Sequence, residues 1–188
     1  MEAFLTSTLA VALAEVGDKT QLLALVLATR FRRPVPIVAG ILAATILNHA
    51  LAGLLGAQVA AWLGPAVLRW GIGLGFLAMA GWTLVPDTLD DDGEEGAAHG
   101  NPFVATFVAF FLAEMGDKTQ LATVGLAAAH PGATAWVVAG TTVGMLLANV
   151  PVVLVGDWLG ERLDLSKVRF VAAALFAVFG AWVLWHGV

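Results

Sequence analysis

The chain has 188 residues, 60% of them hydrophobic and 12% charged, with a mean hydropathy of +0.88. Soluble domains carry about 25% charged residues, so this composition excludes an ordinary water-soluble globule. The net charge of −5, without a basic stripe, excludes a nucleic-acid binder; the lack of cysteine excludes a disulfide framework or a thiolate metal site.

A bilayer core about 30 Å thick needs roughly 20 mainly apolar residues in a helix. Six such runs follow in chain order, at about Ala3–Ala28, Val35–Ala57, Val67–Val85, Pro102–Ala128, Ala133–Val155 and Val168–Trp185. The first lacks the basic region and small-residue cleavage site of a signal peptide and reads as a retained membrane helix. Pro34 and Pro36 open the second run, Pro86 closes the third, Pro102 opens the fourth, and Pro131-Gly132 separates fourth from fifth. Trp62, Trp70, Trp82, Trp158, Trp182 and Trp185 fall near run ends, as an interfacial aromatic belt requires. The expected fold is an all-α membrane protein with six transmembrane helices.

Loop lysines and arginines set orientation. Arg30, Arg32, Arg33, Arg162, Lys167 and Arg169 belong to one side and only Arg69 to the other. The first set is expected in the cytoplasm, with both termini outside. The loop "PDTLDDDGEEGAAHGN", with six acidic and no basic residues, is then a cytoplasmic, solvated linker.

Two stretches interrupt the apolar runs. From Leu13 to Leu22, nine of ten residues recur at Leu112 to Leu121, with Val16 against Met115 the one difference. One residue out of step, Gly40 then matches Gly140, Gly56 matches Gly156, Arg69 matches Arg169, Phe76 matches Phe176 and Trp82 matches Trp182. The chain therefore divides into a first three-helix repeat at 1–86, the acidic linker at 87–101 and a second repeat at 102–188. Three is odd, so the second repeat enters the membrane from the opposite side. Such inverted repeats are common in secondary transporters, whose sites lie near midplane at the repeat interface.

The repeated segments "AEVGDKTQL" and "AEMGDKTQL" place Glu15, Asp18, Lys19, Glu114, Asp117 and Lys118 inside spans. On a continuous helix, residues three and four apart share a face, so each motif should form one charged cluster, continued by Leu22 in the first. Inversion would bring the two glutamates together near midplane and gather four carboxylates in one site. Asp or Lys at a helix centre costs about 2.5–3.5 kcal/mol on the lenient insertion scale; a sequence selected for packing alone would not repeat that. The plain alternative is structural pairing, Lys19 with Asp18 or Glu15 and Lys118 likewise. Even then two carboxylates remain, enough for one divalent cation.

Candidate ligands are all oxygen: Glu15, Asp18, Glu114 and Asp117, supported by Thr20, Thr119, Gln21, Gln120, Asn48 and Asn149, with Lys19 and Lys118 as counter-charges. Such a set suits hard ions such as Mn²⁺, Ca²⁺ or Mg²⁺. Gly17 and Gly116 permit either close helix approach or local unwinding. Carboxylates in low dielectric hold protons when no cation is present, which suggests that metal and protons compete for Glu15 and Glu114 while the two halves rock. His49, whose repeat partner is Asn149, reads as a satisfied interior polar residue. Pro151 is expected to kink the fifth helix, and the Gly71/Gly75, Gly140/Gly144 and Gly156/Gly160 spacings read as helix packing. Asp157, Glu161 and Asp164 are expected in an interfacial loop.

At "EVGDKT" and "EMGDKT" the chain resembles the Gdt-type cation transporters, which include the Golgi transmembrane protein 165 and bacterial manganese exporters of the MneA and Mnx kind. The resemblance covers nearly the whole chain, with one signature in each half. It implies Mn²⁺ efflux, or Ca²⁺ transport, against protons. It also implies Glu15, Asp18, Glu114 and Asp117 as ligands, no permanently bound cofactor, and residence in a bacterial inner membrane. Two other readings stand beside it: an exporter of amino acids or small solutes, and an intramembrane aspartyl protease using Asp18 and Asp117. Inversion displaces those two aspartates toward opposite faces, which disfavours the protease.

Overall fold

A computed structural model of the chain describes residues 1–85, 101–160 and 165–187. Among the described residues there are eight helices and no strand: α1 (Glu2–Glu15), α2 (Lys19–Phe31), α3 (Pro34–Trp62), α4 (Pro65–Thr83), α5 (Pro102–Glu114), α6 (Lys118–Ala129), α7 (Thr134–Gly160) and α8 (Leu165–His186). The acidic linker and the Glu161 and Asp164 positions lie outside the described residues.

The first and fourth runs, expected as continuous helices, are each broken in two at the charged motif. After α1 the backbone turns extended at Val16 (φ −67, ψ 117), takes a left-handed angle at Gly17 (φ 81) and re-enters a helix behind Asp18 (φ −81, ψ 164). The second copy repeats this at Met115 (φ −67, ψ 115), Gly116 (φ 79) and Asp117 (φ −81, ψ 169). A left-handed residue is cheap only for glycine, and aspartate is a preferred N-cap. "GD" is thus a stop followed by a start, and the helical periodicity of the flanking residues conceals it.

Pro34 and Pro102 open helices as expected, and Pro65 opens a third; each stands in the first turn, where a missing N–H costs nothing, while Pro86 lies outside the described residues. In α7 the backbone departs from helical angles at Val155 (φ −144, ψ 34), not at Pro151. Among the described residues three helices are long and apolar enough to cross a membrane: α3, α4 and the Thr134–Val155 part of α7. At 29 residues α3 is about 43 Å long.

The two halves interleave. α1 lies along α7 and α5 along α3; α2 also touches α7 and α6 touches α3; α3 packs on α7 and α4 on α8. Corresponding residues make corresponding contacts. A Cβ on Gly40 would stand 2.8 Å from the Phe103 carbonyl and the Thr106 Cβ, and one on Gly140 would meet the Phe4 carbonyl and Ser7. These glycines let α5 and α1 approach the long helices backbone to backbone. Repeat partners Phe76 and Phe176, both buried, meet with ring centroids 5.8 Å apart. Gly144 also packs on α1, whereas a Cβ on Gly71 or Gly75 would meet nothing, so that pair packs against no described part of the chain.

The distribution of polarity is inside out. Leu5, Leu54, Val67, Leu112, Leu147, Phe170 and most of the tryptophans are exposed, while Glu15, Asp18, Asn48, His49, Glu114, Asp117 and Lys118 are buried. A chain in water would do the reverse. In a bilayer, apolar side chains face lipid and polar ones face the interior.

Candidate metal centre

Each break is flanked by buried carboxylates, Glu15 and Asp18 in the first and Glu114 and Asp117 in the second, while Met115 and Gly116 themselves are exposed; the motif residues hold both breaks in shape. Gln21 reaches back so that its Oε1 accepts from the Gly17 N–H at 2.8 Å, and Gln120 does the same for Gly116 at 2.7 Å. These donors would otherwise be orphaned by the break. The glutamine amides then tie each break to the other half: Gln21 Nε2 donates to the Ala148 carbonyl at 3.1 Å, and Gln120 Nε2 to Asn48 Oδ1 at 3.5 Å. Asn48 Nδ2 in turn donates to the Phe111 carbonyl at 3.1 Å. Gln21, Gln120 and Asn48, expected as supporting ligands, make hydrogen bonds that brace the unwound backbone.

Each glutamate is the last residue of its first helix, and the following threonine holds it. Thr20 Oγ1 donates to Glu15 Oε2 at 2.5 Å, and Thr119 Oγ1 to Glu114 Oε2 at 2.6 Å. The other oxygen of each glutamate, Oε1, is buried and accepts no hydrogen bond. Buried carboxylate oxygens of this kind call for an explanation, and a cation or proton would satisfy them. Carboxylate oxygens of Glu15, Asp18 and Glu114 lie within 4.8 Å of one another, and all three residues are buried.

The lysines pair across the halves rather than within a motif, correcting the expectation from helical spacing. Lys19 Nζ stands 3.1 Å from Asp117 Oδ2, and Lys118 Nζ is paired with Asp18 Oδ1. The break removes the three- and four-residue relation between Glu15, Asp18 and Lys19; Leu22, expected on the same stripe, is exposed. Asp117 is not one of the three convergent carboxylates. Its Oδ1 caps α6 by accepting from the Lys118 N–H at 2.7 Å, and its Oδ2 meets Lys19.

Two further expectations change. Asn149 is buried but turned to its own helix, with Nδ2 donating to the Met145 carbonyl at 3.1 Å, and its Oδ1 has no partner. His49 is fully buried with both ring nitrogens unpartnered, so it is not the satisfied polar residue expected. Ser7 and Thr106, buried against the close-approach glycines, escaped the sequence reading. Their signal was the repeat itself, since the two positions align.

The profile of the divalent cation/proton antiporter family GDT1 matches residues 3–91 and 102–188. A protein of Vibrio cholerae serotype O1 described as "Putative manganese exporter" is 54% identical over 94% of this chain and 87% of its own length. A GDT1-like protein of Synechocystis is 28% identical over 98% of both chains. GDT1-like protein 5 of Arabidopsis thaliana is 30% identical over 96% of this chain and 94% of its own. No solved structure matches the chain.

Proposed function

The chain belongs to the divalent cation/proton antiporter family GDT1, a family of transporters rather than enzymes, and we propose that it exports Mn²⁺ in exchange for protons through a site shared by its two motifs. The observation that carries this reading is the convergence of three buried carboxylates, Glu15 and Asp18 from one half and Glu114 from the other. Oxygen ligands suit Mn²⁺ and Ca²⁺ alike. Mn²⁺ is preferred because the 54% identical Vibrio protein is described as a putative manganese exporter.

The charges favour a divalent substrate. Both aspartates have a lysine partner, so the two glutamates contribute the uncompensated charge, −2. One divalent cation neutralises it; so do two protons. Metal and protons then compete for Glu15 and Glu114. Asp18 assists the metal, and Asp117 holds Lys19 beside it. The matched contacts of the halves support an inverted repeat in which α1 with α2, and α5 with α6, form two broken spans beside α3, α4, α7 and α8. Rocking of one half against the other gives alternating access. The protein would lie in the cell membrane with termini outside and the acidic linker in the cytoplasm. A protease dyad has no support, since each aspartate is committed to a lysine.

The test is Mn²⁺ uptake into proteoliposomes, with and without a pH gradient and with Ca²⁺ as competitor, for wild type, E15Q and E114Q. We expect uphill Mn²⁺ movement driven by the gradient and lost in both variants. Normal transport by both would end the site assignment; indifference to the gradient would end the proton half; full inhibition by equimolar Ca²⁺ would end the Mn²⁺ preference.

A further inference from the structure

The two motif lysines are identical in sequence position and differ in surroundings. The Lys118 side chain is 3% exposed and that of Lys19 is 27% exposed. Their partners differ as well. Asp18 belongs to the three convergent carboxylates, and Asp117 does not. Lys118 therefore engages a carboxylate that the export reading gives to the substrate, while Lys19 engages one that lies outside the group.

The caps reinforce the difference. Asp117 Oδ1 accepts from the Lys118 N–H at 2.7 Å, so both of its oxygens are engaged. Asp18 Oδ2 stands 3.5 Å from the Thr20 N–H, at the outer limit of a hydrogen bond. The ion pair of Asp18 is made by the buried lysine, Lys118, and that of Asp117 by the partly exposed one, Lys19.

We propose that Lys118 is a specificity-determining residue, a tethered monovalent cation that any incoming ion must outcompete for Asp18; this rests on the export reading above. The attraction between an ion and a carboxylate scales with the ion's charge. A divalent ion has twice the charge of the ammonium and shares or takes Asp18. Na⁺ or K⁺ has no advantage in charge, must shed its own water, and faces a rival that covalent attachment keeps at high effective concentration. The Lys118 ammonium thus excludes monovalent ions without a narrow cavity. Lys19, about a quarter exposed and outside the convergent group, is a clasp between the two breaks and has no such effect.

The experiment measures Mn²⁺ uptake by the full chain in proteoliposomes for wild type, K118Q, K118R and K19Q, with Na⁺ or choline at equal ionic strength. Wild type should show the same KM in both salts. K118Q should show a KM for Mn²⁺ about tenfold lower in choline, since a buried competitor for a ligand has gone. Its KM should rise in Na⁺ while kcat at saturating Mn²⁺ is the same in both salts, and K19Q should remain insensitive to Na⁺. K118R keeps the charge and grips a carboxylate through two N–H groups; it should exclude Na⁺ and raise the KM for Mn²⁺ several-fold. A K118Q protein with wild-type KM and no Na⁺ sensitivity overturns the proposal. Should K118Q fail to fold by size-exclusion chromatography, K118R decides, and an unchanged KM overturns it. Absence of Mn²⁺ uptake by wild type would instead refute the export reading itself.

Discussion

Gly116→Ala isolates the helix break from everything around it. A Cβ added at Gly116 would meet no atom within 4 Å, so crowding adds nothing to its effect. What remains is the backbone angle, φ 79. A left-handed conformation costs an L-residue roughly 1–2 kcal/mol. For a chain of this length, each kcal/mol lowers the melting temperature by about 2–4 °C, giving an expected loss of about 2–8 °C. The chain can avoid that cost by continuing α5 through Met115 and Asp117. It would then pull the Gly116 N–H from Gln120 Oε1, 2.7 Å away, and carry Glu114 out of reach of Thr119. Mn²⁺ transport should fall further than stability does. Asparagine tolerates the left-handed region, so G116N should recover most of both. The assays are thermal unfolding in detergent and proteoliposome uptake. A G116A protein with wild-type melting and wild-type transport would refute the claim that the break is required.

Three further outcomes follow from the same geometry. Thr119→Val removes the 2.6 Å bond to Glu114 Oε2 at nearly constant volume; bonds to charged groups contribute about 1.5–3 kcal/mol, so Mn²⁺ affinity measured by calorimetry should fall roughly tenfold or more, and T119S should restore it. Gly140→Ala puts a methyl group against the Phe4 carbonyl and Ser7; overpacking costs about 1–3 kcal/mol, so this variant should melt lower, while G71A, with open space around its Cβ, should melt at or above the wild-type temperature. Saturating Mn²⁺ at about 100 Kd should stabilise wild type by about 2.7 kcal/mol, read as a raised melting temperature that the E15Q/E114Q double variant lacks.

The sequence showed clearly what periodicity and repetition encode. The all-helical fold, the prolines that open α3 and α5 and the recurrence of the motif were legible, because each is a property of consecutive residues or of a fixed offset. The helix break was half legible. Gly17 and Gly116 were recognised as places where the helix could unwind, but leucine and alanine spacing on either side fits one continuous helix as well as two. Reading the span as continuous then misplaced the pairs: it put Lys19 beside Asp18, whereas the break sends it to Asp117. The hydrogen bonds of Gln21 and Gln120 to the glycine N–H groups were hidden for the same reason. On an intact helix their amides have no backbone donor to satisfy; at a break they do. The unpartnered nitrogens of His49 were not legible at all, since satisfaction of a buried side chain depends on helices far away in the chain.

The break also explains how so many charges are held in an apolar interior. At each motif a helix ends and another begins, so the C-termini of α1 and α5 and the N-termini of α2 and α6 meet within the fold. Helix N-termini favour negative charge and C-termini favour positive charge. Asp18 and Asp117 lie at N-termini and cap them; a continuous helix would offer neither aspartate those N–H groups. Burial of the two aspartates is thereby offset by backbone dipoles as well as by lysines, whereas Glu15 and Glu114, the last residues of α1 and α5, stand at helix ends that disfavour negative charge. The two copies do not share this support equally. Asp117 accepts a short bond from its own cap and pairs with Lys19, while Asp18 is capped at 3.5 Å and leans toward the glutamates. Two nearly identical segments thus yield one three-carboxylate centre instead of a symmetric four. A two-fold symmetric centre would place Glu15 like Glu114 and Asp18 like Asp117, and give each half the same claim on an ion. The two copies of the motif thus stand in different surroundings: Asp18 lies among the convergent carboxylates, and Asp117, paired with Lys19, lies outside them.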